Sequence, residues 1–357
     1  MSWNLVRAWR DRLRQRDPSF LPTGLSPEGA REALKAALDA LDDESLDRIA
    51  ALGGRAFPTA AVVCSTTVTT APIEWCAVLL GRGSAVLLKY SADDPGLSSL
   101  LVSAARDVGL PLVGVTERAA ILQADLVVVM GSDDTVREIR SSVSARVRLL
   151  PHGHRFSAAW ITGNPLPPDT RVPESFQGSW GGVAADCVLH DGRGCLSPVA
   201  VFTPVPLETA CDRLADAMFR ASSRWPTGTV SPSEHAHIRS RRALARVTGQ
   251  VREGRDFSIH GLPVEHMDLV ALPRCLAVYQ VEDATQAARA LAPYARWLST
   301  IGTDDPESVG TWLSLGATRV CRQGRMQRPP VIRPHDGEDW LHGTTRWISE
   351  ELDAETP

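Results

Sequence analysis

The sequence lacks several features that would assign the protein to a specialised class. Its cysteines number seven, an odd total, and none are spaced as CxxC, so we expect no disulfide framework, no zinc knuckle and a reducing, cytoplasmic location. No apolar run approaches the roughly 18 residues of a membrane span. The arginine-rich start has no signal-peptide core and is expected to form a surface helix. With 38 basic and 42 acidic residues, nucleic acid is not expected as the main partner.

What is present indicates an α/β protein. The 357 residues, 43% of them hydrophobic, suggest about two domains. After a helical start, short apolar runs such as "TAAVVC" and "ADLVVVM" alternate with amphipathic stretches such as "APIEWCAVLLGRG". This alternation predicts βαβ units and a parallel sheet. The proline-rich "GNPLPPDTRVPES" predicts a linker, and a second α/β region follows it.

One cysteine stands apart from the others. Cys195, in "HDGRGCLSP", follows Gly-Arg-Gly and precedes Leu-Ser-Pro, whereas Cys64 ends an apolar run. Glycine permits close backbone approach and proline interrupts regular structure. We therefore expect an exposed thiol on a tight loop, and a thiol becomes a nucleophile where its surroundings favour the thiolate. A loop cysteine with no task is the alternative interpretation of this stretch.

Two further positions suggest an anion site at the edge of the predicted sheet. Gly131 and Ser132 lie where a strand passes into a helix, and the free N–H groups there attract phosphate. Lys89 ends another buried strand, where it could hold a ribose hydroxyl or a phosphate. The alternatives are an ordinary strand-to-helix turn and a solvated strand end, because the pattern is not GxGxxG.

The histidine pairs do not predict a metal site. His152 and His154 have the HxH spacing, as do His235 and His237, but no further ligands follow at a fixed offset. We expect no metal. Two arginine groups, at 239–246 and 319–328, are interpreted either as solvated faces or as phosphate contacts to a coenzyme or acyl carrier.

Taken in order, these segments resemble the aldehyde dehydrogenase superfamily and, within it, the LuxC-like fatty acyl-CoA reductases. "LLGRGSAVLLKYS" resembles the strand that ends in the cofactor lysine, and "VVVMGSDDTVREI" resembles the turn that holds the cofactor phosphates. "GCLSP" is similar to the LuxC-type nucleophile segment, and "LSLGATRVCRQGRMQRPPVIRPHDG" to the C-terminal signature of acyl-CoA reductases. The similarity spans roughly residues 58 to 345.

Three departures from the superfamily pattern shape the expected chemistry. Pro151 or His152 stands where a water-activating glutamate is usual, which suits a reductase. Thr66 or Thr67 stands where an oxyanion-hole asparagine is usual, leaving a hydroxyl and the Cys195 amide as donors. Ala92 replaces the acid that holds ribose hydroxyls, which makes room for a 2′-phosphate and favours NADPH.

The resemblance implies an aldehyde-dehydrogenase-like α/β fold in four parts: a helical segment (1–55), a Rossmann-like cofactor-binding domain (56–165), a catalytic domain with the cysteine (166–300) and a C-terminal segment packing back on both (301–357). The catalytic assignments are Cys195 and Thr67. The cofactor-binding assignments are Thr66, Lys89, Gly131 and Ser132.

The implied function is reduction of an acyl thioester, carried by CoA or an acyl carrier protein, to an aldehyde. The cofactor is expected to be NADPH, with NADH possible. A homo-oligomer or a complex with acyl-transfer proteins is also expected. The alternatives are an oxidative NAD(P)-dependent aldehyde dehydrogenase and a non-catalytic acyl-binding or scaffold subunit of the same fold. His152 or His154 is left open as a replacement for the missing base.

Overall fold

The chain folds into two main β-sheets with helices packed on them. The computed structural model describes residues 2–21, 23–64, 67–91, 96–170 and 172–346. The helices are α1 (Ser2–Arg14), α2 (Pro27–Asp39), α3 (Asp43–Ala51), α4 (Pro72–Arg82), α5 (Gly96–Asp107), α6 (Arg118–Ile121), α7 (Asp133–Ser142), α8 (Ser179–Val188), α9 (Leu207–Arg224), α10 (Pro232–Thr248), α11 (Ala284–Leu291), α12 (Val309–Leu315) and α13 (Trp340–Gly343).

The strands are β1 (Arg55–Ala56), β2 (Thr59–Val63), β3 (Ala85–Lys89), β4 (Leu112–Val115), β5 (Leu126–Met130), β6 (Arg148–His152), β7 (Phe156–Trp160), β8 (Pro198–Thr203), β9 (Gln250–Glu253), β10 (Ser258–Gly261), β11 (Cys275–Gln280), β12 (Leu298–Thr303), β13 (Arg319–Cys321) and β14 (Thr345–Arg346). Short 3₁₀ turns join several of these elements.

The first sheet has five parallel strands in the order β4-β3-β2-β5-β6. Its strands are nearly continuous apolar runs because helices cover both faces, and all five residues of β5 are buried. Between β2 and β3, α4 ends at Gly83, whose φ of +104° is the left-handed conformation that glycine adopts without steric penalty. The predicted parallel sheet is confirmed.

The second sheet has seven strands in the order β13-β12-β7-β8-β11-β10-β9, all parallel except the β9–β10 pair. The chain passes from one sheet to the other between His152 and Phe156. This crossover comes before the proline-rich segment, where the sequence suggested that the first α/β region ends.

The amino-terminal helices belong to the core of the first sheet. The sequence predicts an apolar helix face of Leu34, Ala37, Leu38 and Leu41, of which the three leucines are buried and Ala37 is partly buried. They join Trp9 of α1, whose indole N–H donates to the Leu101 carbonyl over 3.1 Å. Burying this stripe is the main source of helix stability here, as it is for most helices of globular proteins.

Residues 322–346, which we call the C-terminal arm, cross from the second sheet back to the first. Val331, Trp340 and Leu341 are buried in the core of the first sheet. At the end of the arm, β14 pairs antiparallel with β1. The arm therefore brings residues distant in sequence to the edge of the first sheet. No helix among the described residues is long and apolar enough to cross a membrane.

Candidate active site

Cys195 lies on a loop between α8 and β8, here called the nucleophile loop (189–197). The chain leaves α8 through Asp191 and Gly192, at φ of 52° and 71°. The Cys195 side chain is exposed, as expected from its flanking glycines. Its carbonyl accepts a hydrogen bond from the Ser157 hydroxyl over 2.7 Å, which fixes the loop against β7.

A glycine is required at position 192. Besides its positive φ, a Cβ atom there would lie 3.1 Å from the Arg274 amide nitrogen and 3.2 Å from the Leu272 carbonyl oxygen. These are backbone atoms that cannot turn aside, so a larger residue would displace the loop. At Gly194 a Cβ would lie 3.1 Å from Val68. The segment that carries Thr67 and Val68 therefore packs against the nucleophile loop.

The thiol of Cys195 combines solvent exposure with strong desolvation. Desolvation by the surrounding protein, together with the nearby Asp336 carboxylate, raises its pKa to about 12, while the Arg333 guanidinium acts in the opposite direction. The exposure governs access to the thiol, and the desolvation governs its charge. The resting thiol is protonated and needs a base before it can attack.

A group of charged and ring side chains includes three that act electrostatically on the Cys195 thiol. We call it the His–carboxylate cluster: Glu74, His152, Arg333, His335 and Asp336. Arg333 makes a bidentate ion pair with Glu74 at 2.8 and 2.9 Å. His152 Nδ1 lies 2.7 Å from Asp336 Oδ2. The cluster joins the start of α4, the end of β6 and the C-terminal arm.

His335 sits between the two carboxylates of this cluster. Its ring nitrogens lie 3.4 Å from Glu74 and 3.3 Å from Asp336. Its ring packs on His152 with centroids 4.2 Å apart, and Trp75 lies against both rings. The side chains are therefore held by packing as well as by charge.

The two histidines differ in charge. Burial lowers the pKa of His152 and outweighs the opposing effect of Asp336. Burial also acts to lower the pKa of His335, but hydrogen bonding to Asp336 and Glu74 outweighs it and the pKa is raised. Near neutral pH, His152 is accordingly neutral, and His335 carries more of the positive charge.

Both carboxylates of the cluster are committed to cations. Burial alone would raise the pKa of Glu74, but Arg333 and His335 hold it well below the usual range. His152 and His335 do the same for the pKa of Asp336 against its burial. A carboxylate stabilised in this way is a poor base for water.

Ligand atoms of His152, His335 and Asp336 lie within 4.8 Å of one another, the only such trio among the described residues. One Asp336 oxygen already faces both rings, and Arg333 adds a cation close by. We assign no metal to this group. The expectation that the protein binds no metal stays a prediction.

The cofactor candidates lie at the carboxyl edge of the first sheet. Lys89 ends β3, Gly131 follows β5, and both strands flank β2. The Lys89 ammonium is half-buried and donates to the Tyr90 carbonyl over 3.0 Å. This edge is where parallel α/β sheets bind ligands.

The turn at Gly131 and Ser132 is partly used by the fold itself. The Gly131 amide donates to the His152 carbonyl over 3.1 Å, and Ser132 Oγ caps α7 by accepting the Thr135 amide over 3.2 Å. Asp133 and Asp134 already place two carboxylates in the first turn of α7. An anion there would rely on the remaining amides, because these charges offset the helix dipole.

The remaining residues predicted for the site lie outside the described residues or at the surface, with His152 as the exception. Thr66 and Ala92 lie outside the described residues. Thr67 is exposed and adjoins Val68, which contacts the nucleophile loop. His154 is exposed, and its amide donates to Asp133 over 2.7 Å. The structure thus separates the two histidines of "PHGHR", with His152 in the cluster and His154 at the surface.

A groove of about 460 Å³ opens between α5 and β4, lined by residues that include Tyr90, Val102, Arg106 and Gly114. Strand β4 is one edge of the first sheet, and β6, which ends at His152, is the other. The groove thus lies at the opposite edge of the first sheet from the strand that ends at His152. We do not assign it to the chemistry of Cys195.

The sequence reasoning missed Glu74, Arg333, His335 and Asp336. Glu74 lies in an apolar helix segment with no neighbouring signal. Arg333, His335 and Asp336 are part of "VIRPHDG", which entered only as the end of a segment that resembles a family signature. The concentration of ionisable groups in that short proline-containing stretch is the signal that could have found them.

The comparisons with known proteins agree with this architecture. No curated protein matches the chain. Residues 56–347 match the family described as acyl-CoA reductase (LuxC). Similar solved structures include a NAD-dependent benzaldehyde dehydrogenase from Corynebacterium glutamicum, with a TM-score of 0.70, 15% identity and coverage of 100% of this chain and 83% of that chain.

Two other solved structures are also similar. An NADP-dependent glyceraldehyde-3-phosphate dehydrogenase from Bacillus halodurans C-125 has a TM-score of 0.65 and 16% identity, covering 92% of this chain and 79% of that one. An acetylating aldehyde dehydrogenase from Geobacillus thermoglucosidasius has a TM-score of 0.64 and 12% identity, covering 93% and 83%. The predicted aldehyde-dehydrogenase-like fold is confirmed.

Proposed function

The chain belongs to the acyl-CoA reductase (LuxC) family and is therefore an oxidoreductase of aldehyde chemistry, and from this premise we propose that it reduces an acyl thioester to an aldehyde through an acyl-enzyme on Cys195. The observation that carries the proposal is the setting of this thiol. It is exposed, and both nearby carboxylates are held by partners: Glu74 by Arg333, and Asp336 by His152 and His335.

The first step forms the acyl-enzyme. The Cys195 sulfur attacks the thioester carbonyl and loses its proton, a C–S bond to the enzyme forms, and the bond to the carrier thiol breaks. The departing thiolate takes up a proton. The Cys195 backbone amide and a hydroxyl at Thr67 or Thr66 are the proposed donors to the oxyanion.

The second step releases the aldehyde. When bound, a nicotinamide cofactor supplies hydride to the acyl carbon. The Cys195 sulfur then leaves as the carbonyl reforms, and it regains a proton. The chain itself fixes the acyl group on a loop held by Ser157 and by the buried Asp191–Arg274 pair. It also keeps committed carboxylates beside the thioester, which disfavours attack by water.

Lys89, Gly131, Ser132 and Thr66 are the residues proposed to hold the cofactor. The positions of Lys89 and Gly131 at the carboxyl edge of the first sheet support this assignment. Ala92 in place of an acid supports NADPH over NADH, because no carboxylate at that position would repel a 2′-phosphate. The acyl carrier is CoA or an acyl carrier protein.

Covalent loading tests the proposal without cofactor. The protein is incubated with a panel of acyl thioesters of different chain length, and its intact mass is measured. We expect one added acyl group, which is absent in Cys195→Ala and retained in Cys321→Ala, a matched control that removes a half-buried thiol. Both variants should bind cofactor like the unsubstituted protein. An adduct that persists in Cys195→Ala would show that another residue is the nucleophile.

A further inference from the structure

His152 has one ring nitrogen without a hydrogen-bond partner. Its side chain is only 9% exposed, and Nε2 is buried with no partner. Buried polar atoms are nearly always paired, because a buried atom without a partner loses its hydrogen bonds to water and gains none in return. Nε2 of His152 therefore lacks the partner that a buried ring nitrogen usually has.

The other ring nitrogen shows which atom can accept a proton. Nδ1 lies 2.7 Å from Asp336 Oδ2, and the lowered pKa of Asp336 means that this carboxylate is ionised. A carboxylate can only accept, so Nδ1 carries the hydrogen and donates it. In a neutral imidazole the remaining nitrogen, Nε2, then has a free lone pair.

The neighbours of His152 favour a neutral ring that can take up a proton. His335 from the C-terminal arm supplies a nearby positive charge, while Asp336 from the arm and Glu74 from α4 supply negative charges. Arg333 is paired with Glu74. A ring in this balance is neutral at rest and is stabilised by Asp336 once it becomes charged.

The Cys195 thiol needs a base of this kind. Asp336 is close enough to raise the pKa of the thiol directly. The same carboxylate thus acts electrostatically on the cysteine and accepts the Nδ1 hydrogen of His152. A thiol in this setting has a very small thiolate fraction near neutral pH, so attack on a thioester requires a proton acceptor.

We propose that His152, oriented by Asp336, is the general acid–base that serves Cys195. In the acylation step Nε2 takes the proton of the Cys195 thiol as its sulfur bonds to the acyl carbon. The same proton then passes from Nε2 to the departing carrier thiolate, so that the histidine ends neutral. This inference rests on the proposed function for its substrate but not for its base, since His152 would assist any reaction of the thiol.

Alkylation of Cys195 by iodoacetamide tests the inference without any acyl substrate. The rate is measured by intact mass across pH 5 to 9. We expect an acid limb with an apparent pKa below 6.5, where protonation of His152 removes the base. His152→Gln and Asp336→Asn should lose this limb and react at least tenfold more slowly at pH 7.

Acylation by a thioester is then measured in the same variants. General-base assistance is worth roughly 10² to 10⁴ in rate, so His152→Gln should lose at least a hundredfold with an alkyl thioester. The loss should be smaller with an aryl thioester, whose thiolate leaves without a proton. His154→Gln, the exposed histidine two residues along, is the matched control and should match the unsubstituted protein.

The outcomes separate the two proposals. Unchanged alkylation and acylation in a folded His152→Gln protein would overturn the role of His152. Asp336→Asn, which keeps a hydrogen-bond acceptor of the same size, tests the same role if His152→Gln fails to fold. Normal alkylation kinetics in the unsubstituted protein, with the acid limb but without acylation by any thioester, would instead overturn the proposed function and leave His152 as the base.

Discussion

The Asp191 carboxylate and the Arg274 guanidinium lie 2.6 Å apart, and each side chain is only 1% exposed. Both residues also have left-handed backbone, with φ of 52° and 49°. Among the described residues, Asp336 is the third non-glycine residue with positive φ. Backbone strain of this kind concentrates at functional sites. Two of these residues hold the nucleophile loop, and the third belongs to the His–carboxylate cluster.

Arg274→Met should destabilise the protein strongly. The substitution leaves the Asp191 charge buried without its cation and also removes donors to the Pro226 and Val188 carbonyls. Breaking a buried ion pair in this way typically costs about 3–5 kcal/mol. Urea unfolding measures the change. Arg137→Met, which breaks an exposed pair with Asp134, is the control and should change the free energy of unfolding by less than about 1 kcal/mol. Similar losses in both variants would contradict this account.

Local sequence patterns were sufficient to predict β2, β3, β4 and β5, but not β6, whose segment was interpreted as the end of the alternation of strands and helices. The strands and helices from β2 to α7 follow from apolar runs of strand length that alternate with amphipathic segments. Gly83 marks the end of α4 through its conformational freedom. The position of β7 could not be predicted in this way, because "RFSAAWIT" has the composition of any buried strand. Which sheet receives it depends on pairing with β8 and β12, and both of these strands come later in the chain.

The candidate site was predictable only where its signal is local. Cys195 stands out because glycines and a proline surround it within a few residues. The His–carboxylate cluster has no such signal, since Glu74 and Arg333 are brought together only when the C-terminal arm crosses back to the first sheet. Contacts between residues so distant in sequence depend on tertiary packing, which no spacing rule describes.

The stability of the protein should fall as the pH rises from about 4 to about 7, because of Asp186. This residue is buried in α8, and burial raises its pKa to about 7 although the Gly324 amide donates to it over 2.6 Å. An unfolded aspartic acid releases its proton near pH 3.9. Between these values the folded state binds more protons, so stability is full below about pH 4 and is lost as the pH rises through about 7.

Asp186→Asn should remove this dependence. Urea unfolding from about pH 4.5 to 8 is measured for both proteins, and the difference in their free energies of unfolding is plotted against pH. We expect the unsubstituted protein to lose stability relative to the variant by up to several kcal/mol, taking about 1.4 kcal/mol per pKa unit. Parallel curves would show that Asp186 is ionised in the folded state throughout.

NADPH should bind more tightly than NADH. By the family resemblance, position 92 holds alanine where an acid is usual, so a 2′-phosphate would meet no like charge from that side chain. Nicotinamide fluorescence titration compares the two cofactors, and we expect a difference of about tenfold or more, which is roughly 1.4 kcal/mol. Lys89→Ala should weaken both, whereas Lys35→Ala, which removes an exposed lysine paired with Asp39, should weaken neither. Equal affinities would remove the argument from Ala92.

The enzyme should release aldehyde and not acid. By the family resemblance, Pro151 or His152 takes the position where a hydrolysing relative keeps its glutamate. Glu74 and Asp336 are paired with the cations Arg333 and His335. General-base help to water is worth roughly 10² to 10⁴ in rate. Without it, an acyl group on Cys195 should survive until hydride arrives.

The lifetime of that acyl group decides the direction of the chemistry. Cys195 is loaded with a thioester, the excess is removed, and the adduct is followed by intact mass with and without NADPH. We expect slow loss without cofactor, fast loss with it, and aldehyde as the product, because reduction and not hydrolysis then releases the acyl group, and the departing Cys195 thiolate takes up a proton from solvent. Rapid hydrolysis to acid without NADPH, abolished by His152→Ala or His154→Ala, would mean that a histidine activates water. In that case the protein would be a hydrolase of acyl thioesters and the reductase assignment would fail.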